Sequence, residues 1–424
     1  MVSGGPYGLE DLVHDSGYGR AILILLITPV LWSIPTALMV GELSSALPDE
    51  GGYYVWARRA LGPFWGFQTA WLSLVASIFD MAIYPTLFVV YLTQFFPALS
   101  LGHRGYILGV ALVAACALWN MKGAREVGRS SLVIGILLLT PFVLMVIVSI
   151  FRSPAGIAAP SASGHSSTLL MGILVALWNF MGWDNASTIA AEVENPQRTY
   201  PLAMALTVFA VTAVYVVSVG AAWHAHIDLE TFRTGGWAAA AQILGGKWLM
   251  VAIVAGGCIS TFGTFNSLTM SYSRVPYAMA EDGLLPKLFL KTTKKTGSPW
   301  VAILVCAVAW ALSLGIGFER LVELDVLLYG GSLLLEFTAL AVLRVKEPHL
   351  HRPFKVPGGL LGAILLGVAP MLLVGLALVE SNRERIAGMN VLLFGLILAG
   401  VGVVLFAVAR LSGENFGSKA EGAA

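Results

Sequence analysis

Charged side chains are scarce in this chain. Asp, Glu, Lys and Arg make up 12% of its 424 residues, about half the share a soluble fold carries on its surface. That shortage excludes a soluble enzyme and a disordered chain. The balance of 25 Lys and Arg against 24 Asp and Glu leaves no basic excess for a nucleic-acid face. Cysteine is also rare. Cys116, Cys258 and Cys306 stand inside apolar runs, none in CxxC or zinc-like spacing, so they read as small packing residues and no disulfide framework is expected. The first dozen residues lack an apolar core behind a basic start, so no cleavable leader is expected. What remains is apolar, 57% of all positions, and describes an integral protein of the lipid bilayer.

A helix needs about 20 mostly apolar residues to cross the hydrocarbon core. Eleven stretches qualify, at roughly 20–46, 64–97, 104–121, 130–151, 168–191, 201–223, 247–272, 299–317, 321–343, 360–379 and 388–410. The second is long enough for a steeply tilted helix. The longest polar connectors, about 152–167 and 274–298, are too short for a soluble domain, so the whole chain is one membrane domain. With the loop at 47–63 placed in the cytoplasm and sides alternating, 17 of the 25 Lys and Arg fall inside and 8 outside. That asymmetry puts the C-terminus in the cytoplasm.

Two segments break the helical pattern. The run Ser3-Gly4-Gly5-Pro6-Tyr7-Gly8-Leu9-Glu10-Asp11 is too rich in Gly and acid for a helix in lipid. The run Leu177-Trp178-Asn179-Phe180-Met181-Gly182-Trp183-Asp184-Asn185 interrupts an apolar span near its centre. Irregular backbone at membrane depth is tolerated where it lines a polar cavity. Two such segments with four full spans between them fit an all-α, five-plus-five inverted-repeat transporter fold. Segments one and six are the broken pair, the repeats cover about 1–151 and 168–343, and two extra helices follow at about 360–410.

Three carboxylates stand deep in spans: Asp80, Asp184 and Glu336. A charge at mid-bilayer costs about 2.5–3.5 kcal/mol on insertion scales. No Lys or Arg stands near the middle of any span to pair with them, so they are candidates for a cationic substrate, a proton or a sodium ion, or for a hydrogen bond between helices. Glu42, near the end of its span, reads at least as well as a structural bond. Tyr84 follows Asp80 by one helical turn on the same face, and Trp178 and Trp183 flank the second break, so their rings can meet an ammonium group. Ser260, Thr261 and Thr264 offer oxygens for sodium, though such hydroxyls more often bond between helices. No metal cluster or Ser-His pair suggests an enzyme, and no cofactor is expected; His224 and His226 beside Asp228 read as water-bonded loop residues.

These residues carry a resemblance. Gly4-Gly5-Pro6-Tyr7-Gly8-Leu9-Glu10-Asp11 resembles the first-helix break of the amino acid–polyamine–organocation superfamily, in the form of its polyamine-uptake and L-type branch. Gly41-Glu42-Leu43-Ser44 through Pro48, with Gly51-Gly52-Tyr53-Tyr54, is similar to the segment after its second helix. Asn120-Met121-Lys122-Gly123, Glu192 through Pro201, Ser273-Arg274 through Pro286, and Arg352-Pro353-Phe354-Lys355-Val356-Pro357 resemble four of its loops, in order. The resemblance implies a half-helix before the first break, which this sequence lacks, so the first half of helix one is expected to be missing. It also implies that Asp184 faces a cationic substrate, with Trp178 and Asn179 just before it.

The expected function is a multi-pass permease of the cell membrane for a small organic cation. Pro6 has no N–H to offer a carboxylate, and Glu10, Asp11 and Asp184 repel one, whereas a polyamine such as putrescine or spermidine has only positive ends. The candidate substrate residues are Gly4, Gly5, Tyr7, Gly8, Asp80, Tyr84, Trp178, Asn179, Trp183, Asp184 and Glu336. A proton is the expected coupling ion, with sodium second. A cationic or neutral amino acid substrate, and a channel or a non-transporting nutrient sensor, stay open.

Overall fold

The computed structural model describes residues 4–151, 169–381, 385–386 and 389–411. Ser3, the connector at 152–167, and Arg152, Arg383 and Lys419 of the charge count lie outside them. Each of the eleven apolar stretches is occupied by helix. Eight helices among the described residues are long and apolar enough to cross a bilayer, so the chain has the make-up of a multi-pass membrane protein.

The helices are α1 (Glu10–Ser16), α2 (Tyr18–Thr28), α3 (Ile34–Ala46), α4 (Tyr53–Leu61), α5 (Pro63–Thr93), α6 (Arg104–Asn120), α7 (Ala124–Phe151), α8 (Leu169–Asn179), α9 (Pro196–His224), α10 (Trp237–Gly245), α11 (Lys247–Glu281), α12 (Trp300–Leu312), α13 (Phe318–Lys346), α14 (Gly359–Ser381) and α15 (Val391–Leu411). Local chemistry sets their ends. α2 and α3 form one span joined by a π-turn at Pro29–Ser33, where the N–H of Ile34 reaches back five residues to the Pro29 carbonyl. Pro29 and Pro35 cannot donate, so the ladder slips by one residue. Pro63 opens α5 at a position whose N–H would be unpaired in any case. The 31 residues of α5 make about 46 Å of helix, which must tilt to fit a core about 30 Å thick. α11 runs to Glu281, well past the apolar stretch at 247–272, so part of the expected 274–298 connector is helical.

Glu10 and Asp11 correct the expected reach of the first break. They open α1, where the free N–H groups of the first turn favour carboxylates. α1 packs against α8, and α5 packs against both α11 and α13. The outer sides of α7, α9, α14 and α15 expose Leu132, Phe209, Leu372 and Val404. Such surface suits lipid, not water.

At one end of the bundle, side chains assigned to a single side by the charge count pair with one another. Glu42 is fully buried and ion-paired with Arg344 and Arg352, and it accepts from the N–H of Val356 at 2.7 Å. Arg274 meets Glu192 at 3.0 Å, and Asp282 takes Arg58 at 2.5 Å and the Tyr54 hydroxyl at 2.6 Å. Arg59 grips Glu347 through two bonds of 2.8 and 2.7 Å, and this pairing holds the Glu347 carboxyl below its usual range. The motif-bearing segments around Glu42, Glu192, Arg274, Asp282 and Arg352 thus meet in three dimensions. Glu42 is a structural ion-pair hub.

Candidate functional site

The two irregular segments meet at the centre of the bundle. In the first, Gly5 and Gly8 adopt φ of 81° and 94°, which only glycine takes without strain. Three of its carbonyls are met by side chains. Ser260 donates to Gly4, Trp237 Nε1 donates to Pro6 at 2.9 Å, and Asn179 Nδ2 donates to Gly8 at 3.3 Å. The N–H of Gly8 donates to Glu10 Oε2 at 2.6 Å, and the Tyr91 hydroxyl donates to Glu10 Oε1. Tyr7 reaches the Ile253 carbonyl at 3.0 Å. In the second segment, Gly182 takes φ of 84° between α8 and a 3₁₀ turn at Asp184–Glu192. Asn179 bonds the two breaks together.

Two cavities flank the contact. The first, with about 20 Å³ of free space, is walled by Asp80, Tyr84, Trp178, Gly182, Tyr272, Asp325 and Tyr329, with Met181, Asn185 and Leu268. The second, also with about 20 Å³ of free space, lies beside Gly4, Tyr7, Asn179, Tyr215, Ser260, Thr261 and Thr264. Tyr84 and Trp178 line both, so their rings form the partition between two chambers. The rings lie 6.1 Å apart and tilted.

Asp80 stands at this partition. Its Oδ1 accepts from the Tyr84 hydroxyl at 3.0 Å and from Trp178 Nε1 at 3.2 Å, and its Oδ2 accepts from the Tyr272 hydroxyl at 3.2 Å. Three donors from three side chains thus converge on one carboxylate. Among the described residues no Lys, Arg or His forms an ion pair with it. The helical-turn spacing had placed Tyr84 on the face of Asp80, and the bond between them is the structure's addition.

The other expected residues are placed differently. Asp184 is fully buried and does not line either chamber; the Tyr329 hydroxyl, which does, donates to its Oδ1 and accepts from the N–H of Gly182 at 3.3 Å. Asp184 Oδ2 has no hydrogen-bond partner. Glu336 is also buried off the chambers, with Oε1 taking the Ser332 hydroxyl at 3.2 Å and Oε2 unpartnered. Trp183 is packed away, its Nε1 bonded to the Phe180 carbonyl at 2.7 Å. Gly4, Tyr7, Tyr84, Trp178 and Asn179 line a chamber, whereas Gly5 and Gly8 shape the turn behind. Thr261 donates within its own helix to the Gly257 carbonyl at 2.9 Å.

Sequence reasoning passed over Asp325, Tyr329 and Tyr272. Asp325 stands near the start of α13, where an acid reads as an end residue. The signal was present: Asp325, Tyr329, Ser332 and Glu336 repeat at four, three and four residues, one polar face of a helix.

Residues 1–412 match the amino acid permease family. The chain is 34% identical over 402 residues to the polyamine transporter RMV1 of Arabidopsis thaliana, covering 94% of this chain and 81% of that protein. It is 35% identical over 400 residues to the polyamine transporter PUT1 of Oryza sativa subsp. japonica, covering 94% and 75%. A more distant relative is the serine/threonine exchanger SteT of Bacillus subtilis, 24% identical over 358 residues, covering 81% and 79%.

Proposed function

The chain belongs to the amino acid permease family, and on that footing we propose that it is a secondary active permease for polyamines such as putrescine or spermidine. The observation that carries this reading is the central chamber, where Asp80 faces tyrosine and tryptophan rings and, among the described residues, no basic side chain pairs with it. An ammonium group docks against Asp80 and on the faces of Tyr84 and Trp178, where charge and ring quadrupole add. The methylenes of the ligand lie along the rings. Gly4, Tyr7 and Asn179 border the adjoining chamber, which takes the rest of a long amine, while Gly5 and Gly8 give the break its shape. A ligand carboxylate finds acid and a proline where it would need N–H donors. The relatives named as polyamine transporters, at 34 and 35% identity, support the substrate class.

The fold we assign is one domain of two inverted repeats, about 1–151 and 168–343, which rock around the paired breaks to expose the chamber alternately to either side. Two further helices follow, the basic end with the C-terminus faces the cytoplasm, and the protein resides in the cell membrane. It carries out transport, not covalent chemistry. Uptake is coupled to a proton, and Asp184 and Glu336 are the groups to carry it. Both are buried carboxyls with an unpartnered oxygen, and Asp184 communicates with the chamber through the Tyr329 hydroxyl.

Competition uptake in proteoliposomes tests the reading. Labelled putrescine should accumulate saturably, be driven by an inward proton gradient, and be displaced by spermidine but not by leucine. Uptake of arginine or leucine with indifference to putrescine would select the amino acid reading instead, and unsaturable flux would select a channel.

A further inference from the structure

Asp80 and Asp325 reach the same chamber from different helices, α5 and α13. They are not equivalent. Asp80 is held by three donors. Asp325 is 2% exposed, and among the described residues its Oδ1 has no hydrogen-bond partner. Among the described residues no basic side chain forms an ion pair with it. A buried carboxylate left this way is costly, so the chamber is electrostatically incomplete at Asp325. A proton or a cation from outside the protein can complete it, and Asp325, unlike Asp184 and Glu336, lines a chamber that a cation can enter.

We propose that Asp325 is a second ammonium site, so that the chamber binds an α,ω-diamine with one charged end on Asp80 and the other on Asp325. This deepens, and rests on, the reading of the chamber as an amine site. A divalent metal ion is the other way to supply two charges, but no group of three His, Cys, Asp or Glu able to hold one occurs among the described residues. The walls also favour an organic ligand, since Tyr84, Trp178, Tyr272 and Tyr329 give rings along which methylenes and ammonium groups both pack. The two acids therefore act differently. Asp80 attracts any amine, and Asp325 separates diamines from monoamines, because a monoamine leaves it unpartnered.

The test is equilibrium binding to the purified full chain, with putrescine, 1,3-diaminopropane and n-butylamine as probes. Asp325→Asn should weaken putrescine binding tenfold to a hundredfold, as for a lost bond to a charged group, and should change butylamine affinity by less than about twofold. Native putrescine affinity in a folded Asp325→Asn protein overturns the proposal, and so does an equal loss for both amines. Asp325→Glu serves where the Asn variant does not fold. It keeps the charge and lengthens the side chain by one methylene, so preference should move from putrescine toward 1,3-diaminopropane, and an unmoved preference overturns the proposal. The two readings fail separately. Wild-type protein that binds no polyamine removes the amine site itself, whereas wild-type binding with an indifferent Asp325 removes only the second anchor.

Discussion

Replacing Asp80 with Asn removes one charge at nearly constant shape, at the point where two chambers meet. The three donors around the carboxylate, Tyr84, Trp178 and Tyr272, stay in place. An ammonium 4 Å from a carboxylate gains about 4 kcal/mol at an effective dielectric of 20. Asn keeps an oxygen that can still accept one bond, a residual of about 1 kcal/mol. The Asn NH₂ then faces at least one donor, which holds the net loss near the 1.5–3 kcal/mol typical of a bond to a charged group. The dissociation constant for putrescine should therefore rise roughly tenfold to a hundredfold. Titration calorimetry on detergent-purified protein reads that change directly. A melting curve on the same sample guards against a folding defect, and the melting temperature should hold, since a neutral side chain at membrane depth is cheaper to bury than a charged one. An Asp80→Asn protein that melts like wild type and binds putrescine as tightly would refute the reasoning, because no other carboxylate at the partition is so well prepared for a cation.

Three further expectations concern the frame around the site. Glu42→Gln leaves Arg344 and Arg352 buried without their anion, so it should destabilise by about 3–5 kcal/mol, and a native melting temperature would count against the hub. Gly8→Ala forces an L side chain into φ of 94° with its Cβ 2.8 Å from Trp178 Cζ3. The left-handed backbone costs about 1–2 kcal/mol, and displacement of the ring should weaken amine binding, which calorimetry would show; unchanged stability and affinity would mean the turn can relax. Glu347 is held below its usual value of 4.5 by Arg59, so the pair's contribution is fully present above about pH 4.5 and lost as pH falls through the lower folded value. Because this pair is half-exposed the effect is small. Glu347→Gln should lower the melting temperature slightly near neutrality and match wild type in strong acid, and a gap that widens toward acid would reverse the sign of the argument.

Much of the fold was legible because membrane helices are a local matter. A run of apolar residues long enough to cross lipid must satisfy its own backbone, so position and length in the sequence already specify a helix. The breaks were legible for the same reason, since Gly5, Gly8 and Gly182 take backbone angles that end a helix whatever surrounds them. The shared face of Asp80 and Tyr84 was legible at four-residue spacing within one helix.

Tertiary structure decided which acid faces which space. Asp184, at the break, looked like the residue most open to a ligand, yet the Tyr329 hydroxyl covers it from another helix. Asp325, near a helix start, looked peripheral, yet α13 crosses the bundle so that this turn faces Asp80 across one chamber. The segments that carry Glu42, Arg274, Asp282 and Arg352 read as separate motifs and close into ion pairs only when distant helices pack. The reason is physical. Sequence spacing fixes a side chain's direction around its own helix, but the environment it meets depends on the rotation and tilt of neighbours tens to hundreds of residues away.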